Sequence, residues 1–178
     1  SSLTAGAKNS ITGTEKTPSA SNILSGVGNT AYAVQHVSAI GSGNTVNNTA
    51  TTQILGDTNT VSYAALSSVS NNTLTGTADN VSSANILDGS GNTASNVNHV
   101  SALGAVNGVT NADRTQVLGD RNRATNTNLS QMFGVNNVLS TTDGAAENAK
   151  DIQIGYGNSA INVQNVTSIG SANTVLVS

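Results

Sequence analysis

Apolar residues recur along this chain at a fixed place in a polar, glycine-containing pattern. Clear copies are Ile40-Gly-Ser-Gly-Asn-Thr-Val46, Leu55-Gly-Asp-Thr-Asn-Thr-Val61 and Ile169-Gly-Ser-Ala-Asn-Thr-Val175. They reduce to apolar-Gly-x-x-Asn-x-apolar. The asparagines that fit this frame are Asn9, Asn29, Asn44, Asn59, Asn72, Asn92, Asn107, Asn122, Asn137, Asn158 and Asn173. All have an apolar residue two positions later, and only Asn72 lacks Gly three positions earlier. The chain is therefore a repeat protein.

The spacing of the frame asparagines gives the size of the structural unit. Successive intervals are 20, 15, 15 and 13, then 20, 15, 15 and 15, then 21 and 15 residues. Such a unit is too short for two helices, and no segment has the 3,4-spaced apolar stripe of an amphipathic helix. The pattern predicts an all-β fold, a parallel β-solenoid of about 11 short coils forming one domain over residues 1–178.

Within a coil, each position of the frame has an expected role. Gly supplies a backbone conformation with positive φ in the turn, and stacked Asn side chains are expected to share amide hydrogen bonds. Thr residues at 30, 45, 60, 73, 93 and 174 are expected to stack beside the asparagines. The apolar residues before Gly and after Asn are both predicted to point inward. Where Ser25 and Asp88 precede Gly, the pattern predicts a one-residue bulge, and Asn72 is expected in a tighter turn.

Three short segments resemble a known family. Ser38-Ala-Ile-Gly41, Ser101-Ala-Leu-Gly104 and Thr167-Ser-Ile-Gly170, each followed by x-x-Asn, are similar to repeats in the heads of trimeric autotransporter adhesins of Gram-negative bacteria. The resemblance covers essentially the whole chain. It implies a left-handed parallel β-roll, a homotrimer, and a non-enzymatic role in attachment to host cells, matrix or other bacteria. It also implies a cell-surface location, exported across the outer membrane. The sequence has no recognisable neck, heptad stalk or anchor strands, so we expect an adhesin head fragment.

Trimerisation has an independent argument. A coil this small has a thin core, and an isolated roll leaves an apolar face along its length. Docking three such faces removes them from water. The expected partners are therefore the chain itself, then a host-cell or extracellular-matrix protein or glycan, or other bacterial cells.

Composition narrows the function classes. Aromatic residues are 2%, charged residues 8%, the formal net charge is −3 and cysteine is absent. This leaves no basic stripe for nucleic acid, no apolar run long enough for a membrane helix and no disulfide framework. No GxSxG motif or phosphate-binding loop with its Lys is present, so we expect no enzyme activity, cofactor or metal.

Candidate ligand-contacting residues lie where the repetition fails. The long units place extra polar residues at 12–21, 75–84 and 140–151, and solenoid insertions project from one face. A second candidate is a group of arginines in two adjacent units, which could bind acidic or glycan ligands. The alternative for the long units is loop growth that the fold tolerates, and the alternative for the arginines is a solvated surface cluster. The candidates are Thr14, Glu15, Lys16, Thr77, Asp79, Asn80, Arg114, Arg121, Arg123, Asp143, Glu147 and Lys150.

Two histidines and two other function classes complete the interpretation. His36 and His99 occupy matching positions, and Asn165 replaces them in the third group. This exchange indicates a hydrogen-bonding polar position, although three copies of either His in a trimer could hold an ion. The alternatives to an adhesin are an ice-binding solenoid, for which the Thr array is interrupted after Thr93, and a purely structural surface spacer.

Overall fold

The protein is a parallel β-solenoid. The computed structural model describes residues 2–14, 21–79, 82–141, 151–163 and 165–176, and these contain strands and turns but no helix. The strands form two parallel sheets of eleven strands each, with odd-numbered strands in sheet A and even-numbered strands in sheet B. The chain alternates between the sheets, so each strand pairs with the strands two before and two after it. This confirms the predicted all-β solenoid.

Sheet A lies on one side of the coil. Its strands are β1 (Leu3–Ala7), β3 (Ile23–Val27), β5 (Gln35–Ser42), β7 (Ala50–Leu55), β9 (Ala64–Ser70), β11 (Ser82–Ser90), β13 (Ser101–Ala105), β15 (Gln116–Asp120), β17 (Gln131–Val135), β19 (Ile152–Tyr156) and β21 (Thr167–Ser171). Sheet B faces it across the core. Its strands are β2 (Ser10–Thr12), β4 (Thr30–Tyr32), β6 (Thr45–Asn47), β8 (Thr60–Ser62), β10 (Thr73–Thr75), β12 (Thr93–Asn98), β14 (Gly108–Asp113), β16 (Arg123–Asn128), β18 (Val138–Ser140), β20 (Ser159–Ile161) and β22 (Thr174–Leu176).

The core is a thin column of small and medium apolar side chains. From sheet B it receives the residue two after each frame asparagine, such as Val46, Val61 and Val109, all fully buried. From sheet A it receives the residue two before each glycine, such as Leu24 and Ile54. Because side chains alternate between the faces of a strand, each short strand contributes about one core residue per coil.

The prediction that residues directly before Gly point inward is wrong. Ile40 is 44% exposed and Leu55 58% exposed, while the residue before each of them in the chain is buried. The physical reason is strand alternation: the residue two before Gly points inward, so the residue directly before Gly points outward. The remaining predicted inward residues at this position are Leu118, Ile154 and Ile169, which are exposed, and Leu103 and Phe133, which are half-buried.

The predicted bulge is absent at Ser25 and present at Asp88. Ser25 pairs with Ile40 and the glycines that follow them pair with each other, without a register shift. Asp88 pairs in the same regular way with Leu103. A polar residue fits at both places because the position faces outward. On the other side of β11, the pairing with β9 shifts register between Leu87 and Ser90, so Asp88 and Gly89 lie opposite a single residue of β9. This confirms the one-residue bulge predicted at Asp88.

The regular spacing of glycine along the chain has a steric cause. At Gly119, φ is +117°, and an added Cβ would lie 1.9 Å from the carbonyl oxygen of Gly134 in the next coil. The glycines therefore let the backbones of successive coils approach along the axis at the end of each sheet A strand. Glycine is required here by contact between coils as well as by backbone conformation.

The frame asparagines form a buried hydrogen-bonded ladder. The Asn107 Oδ1 atom accepts hydrogen bonds from the backbone N–H of Asn122 at 3.1 Å and from its Nδ2 at 3.2 Å. The Asn107 Nδ2 atom donates to Asn92 Oδ1 at 3.0 Å and to the carbonyl oxygen of Gly119 at 2.7 Å. The same pattern repeats with small variations through Asn29, Asn44, Asn59, Asn92, Asn107, Asn122, Asn137, Asn158 and Asn173. The ladder joins each coil to the next inside the protein, where water cannot compete.

The threonines beside the ladder line up on the outer face of sheet B. Thr30, Thr45, Thr60, Thr73 and Thr93 are successive register partners, as expected from their position after the asparagines. The column then continues through Gly108, Arg123, Val138 and Ser159 to Thr174. The regular array therefore covers the first half of the sheet.

Candidate interaction surfaces

An apolar strip runs along the outer face of sheet A. It consists of the large apolar residues that directly precede frame glycines, and we call it the apolar ribbon. Its described members are Ile40, Leu55, Leu103, Leu118, Phe133, Ile154 and Ile169. The last five are consecutive register partners, so their side chains stack from coil to coil. A continuous apolar strip is unusual on the surface of a monomeric soluble protein and is typical of an association surface.

The sequence pattern contains the residues of this surface, but it predicts a core position for them. The alternation of inward and outward residues cannot be counted from the buried residue after each Asn, because a turn separates that residue in sheet B from the ribbon position in sheet A. The signal was available in another form: Ser25 and Asp88 at the same frame position are poorly suited to a core.

The arginines do not form a single patch. Arg121 and Arg123 lie together, because Arg121 is in the turn after β15 and Arg123 begins β16. Arg114 lies in the turn before β15, at the other end of a strand that spans roughly 16 Å at about 3.3 Å per residue. Its Nη1 atom is 3.7 Å from Oδ2 of Asp113. Both groups are well exposed, so this ion pair contributes little to stability.

The loop candidates are only partly described. Thr14 follows β2, and Thr77 and Asp79 are exposed after β10. The remaining loop candidates lie outside the described residues: Glu15, Lys16, Asn80, Asp143, Glu147 and Lys150. Their role in ligand contact stays a prediction.

The matching histidine positions are explained by backbone conformation. His36 and His99 both have φ of 53°, and Asn165 has φ of 57°. Asn and His are among the non-glycine residues most often found in this left-handed region. The same corner holds Arg114 and Leu129, with φ of 49° and 56°. The exchange of His for Asn therefore reflects a corner with positive φ.

His99 also has a polar neighbour that His36 lacks. Its Nδ1 atom lies 3.4 Å from Oδ1 of Asp113 in the next coil. Among the residues that the structure describes, no group of three or more His, Cys, Asp or Glu side chains is arranged to hold a metal ion. A shared ion between His rings would thus require several copies of the chain.

A buried carboxylate distinguishes the third group of coils. Asn22 and Asn85 open the first two groups, and each accepts a backbone N–H and donates its amide to a backbone carbonyl. Asp151 takes the corresponding place. It is fully buried, its Oδ1 accepts the Val166 N–H at 2.8 Å, and its Oδ2 has no hydrogen-bond partner among the residues that the structure describes. Burial raises the pKa of Asp151, and the hydrogen bond from Val166 opposes this shift. The sequence alone gives no signal for this group, because a single Asp in a polar return has no pattern of its own.

The fold and surfaces place the chain in the class of parallel β-solenoid repeat proteins. In comparisons with known proteins, no protein-family model and no curated protein matches this chain. In the described part of the chain, no helix has the length and apolar character needed to cross a membrane.

Proposed function

We propose that this chain is the head segment of a non-enzymatic, homotrimeric adhesin on a bacterial cell surface. In this proposal the solenoid is a left-handed β-roll with one coil for each frame asparagine. The full-length protein is exported across the outer membrane and anchored there. Two observations support the proposal: the resemblance of the Ser-Ala-Ile-Gly segments to adhesin head repeats, and the apolar ribbon on sheet A.

The apolar ribbon is the observation that carries the trimer. Leu55 and Ile169 are 58% and 66% exposed, and no residue of the described chain covers them. With strands about 4.8 Å apart and about 3.3 Å per residue, the outer face of sheet A measures roughly 48 by 16 Å, or roughly 800 Å². A stable interface buries about 800 Å² on each partner. The occupant that fits best is a second and third copy of the same face, because symmetric copies bring equivalent apolar columns together.

Trimerisation also explains how a surface with few charges could adhere. Its outward polar groups are mainly Thr, Ser and Asn, whose individual contacts are weak. Three copies held on one axis raise the effective concentration of each contact after the first has formed. The proposed ligands are a host-cell surface or extracellular-matrix protein or glycan, or the surface of another bacterial cell. The long loops and the pair Arg121 and Arg123 are the proposed contact points.

The oligomeric state tests the first half of the proposal. Sedimentation equilibrium should give three times the chain mass of 17.7 kDa. Leu118→Lys places a charge on the ribbon and should shift the protein to monomer. Ile161→Lys is a matched control, since Ile161 is 37% exposed on sheet B and Leu118 is 38% exposed on sheet A. A wild-type monomer at micromolar concentrations would refute the trimer.

Adhesion assays test the second half. The wild-type protein and Leu118→Lys should be compared for binding to epithelial cells and to surfaces coated with collagen, fibronectin or laminin. We expect the trimer to bind about 10²-fold or more tightly than the monomeric variant, as multivalent attachment gives. Arg121→Ala combined with Arg123→Ala should weaken binding without changing the oligomeric state. Absence of binding to every surface would favour the structural spacer over the adhesin.

One observation favours a second candidate function, ice binding. Five threonines from Thr30 to Thr93 are aligned in register on the outer face of sheet B, at intervals of about 4.8 Å. A flat, regular array of hydroxyl and methyl groups can order water. The array stops at Gly108 and Arg123, which leaves a short face. Thermal hysteresis of the purified protein, measured beside Thr60→Lys, decides between the two functions.

A further inference from the structure

One position in the ribbon column of sheet A carries a charge. Asp88 in β11 is exposed and pairs directly with Leu103, the first of the five stacked apolar residues. The described residues of this column are Ala5, Ser25, Ile40, Leu55, Asp88, Leu103, Leu118, Phe133, Ile154 and Ile169. Asp88 is the only charged residue among them.

Nothing nearby compensates this charge within the described chain. Ile86, two residues earlier on the same strand, is 48% exposed, and Leu103 lies beside Asp88 in the next strand. The ion pairs of the described residues both involve Asp113, which belongs to sheet B. The other described acidic side chains on sheet A strands or next to them are Asp57, Asp120 and Asp151, and each accepts a backbone N–H from a neighbouring coil.

We infer that Asp88 weakens the association of sheet A faces. This inference rests on the proposed homotrimer. When three copies dock these faces around an axis, equivalent residues of one column approach each other. Three carboxylates then meet in an apolar surrounding, where both loss of water and mutual repulsion are unfavourable.

The test compares the association constants of the wild type and three variants by sedimentation equilibrium. Asp88→Leu, which copies the residue at 103, should lower the dissociation constant at least ten-fold, and Asp88→Asn should lower it by a smaller factor. Asp79→Asn is the control, because it removes one negative charge from an exposed position outside both sheets. It should leave the constant within about two-fold. Raising the salt concentration should tighten the wild type more than Asp88→Leu, because salt screens the repulsion. Urea unfolding checks that the variants remain folded.

The outcomes separate this inference from the proposed function. If the wild type forms a trimer and Asp88→Leu has the same or a weaker association, the inference is wrong and the trimer stands. Weaker association would show that the carboxylates hold the copies together. If the wild type and Asp88→Leu are both monomeric over the whole concentration range, the homotrimer itself is wrong.

Discussion

Replacing one asparagine of the buried ladder tests how the coils are held together. Asn107 lies in the middle of the solenoid, is 1% exposed, and bonds to the coils on both sides. Asn107→Ala removes the two hydrogen bonds that its Oδ1 accepts from Asn122 and the bonds that its Nδ2 donates to Asn92 and to Gly119. The backbone N–H of Asn122 and the carbonyl of Gly119 then lose these partners inside the protein.

The size of the effect follows from those two orphaned groups. Each buried backbone group without a partner costs about 1–3 kcal/mol, so the free energy of unfolding should fall by about 2–6 kcal/mol. This is a large part of the roughly 5–15 kcal/mol that stabilises a typical domain. The substitution adds no steric conflict, since alanine is smaller than asparagine and the φ angle of this residue is not positive.

The measurement combines urea unfolding, followed by circular dichroism, with amide hydrogen exchange. Exchange is needed because repeat proteins can open locally, and the Asn122 amide should lose protection before distant coils do. Asn47→Ala is the matched control, because Asn47 lies on the outward side of a sheet B strand, where its backbone alone is paired. It should change stability by less than about 0.5 kcal/mol. A loss of only 1 kcal/mol for Asn107→Ala, or uniform loss of protection, would refute the ladder as the main link between coils.

Three further predictions concern backbone conformation and buried charge. Gly119→Ala should destabilise the protein by about 3 kcal/mol or more, because the added Cβ would lie 1.9 Å from a carbonyl oxygen. Gly157 has open space around it, so Gly157→Ala should cost only about 1–2 kcal/mol, for its positive φ. Leu129 has a φ of 56° and is 40% exposed, so Leu129→Asn should raise the free energy of unfolding by about 0.5–1 kcal/mol, measured by urea unfolding. Asp151→Asn should stabilise the protein at neutral pH by about 1–3 kcal/mol, as judged by thermal unfolding. The pKa of Asp151 is raised in the folded state above its ordinary value of 3.8. The contribution of Asp151 to stability is therefore most favourable below pH 3.8 and is lost as the pH rises through the folded-state pKa. The stability gap between Asp151→Asn and wild type should therefore widen from acid to neutral pH, and a constant gap would contradict this assignment.

The repeating sequence was sufficient to predict the class of fold. Gly three residues before Asn, and an apolar residue two after it, are local requirements that every coil must meet in the same way. Val46, Val61 and Val109 were correctly placed in the core for this reason. Asn107 and its equivalents were correctly expected to stack, because identical coils in parallel register bring identical side chains together.

Tertiary structure decided which side of each strand faces water. Ile40 and Leu118 are apolar and periodic, so their sequence pattern is the same whether they fill a core or an association surface. Only the path of the chain between the sheets shows that the residue before them takes the inward place. The pattern at Asp88 correctly indicates a bulge, which lies on the side of β9, but only the structure shows that Asp88 pairs regularly with Leu103 on the other side and is exposed.

Burial and corner geometry also depend on the assembled coil. Asp151 is one polar residue among many until stacking places it where Asn22 and Asn85 stand in the other groups. His36 and His99 suggested a shared chemical role, but they share a turn with positive φ, a property of backbone closure. A sequence repeat thus determines which positions are equivalent, since equivalent coils obey the same local constraints. Inside and outside are decided by how the coil closes, because burial depends on contacts between residues that the repeat alone does not join.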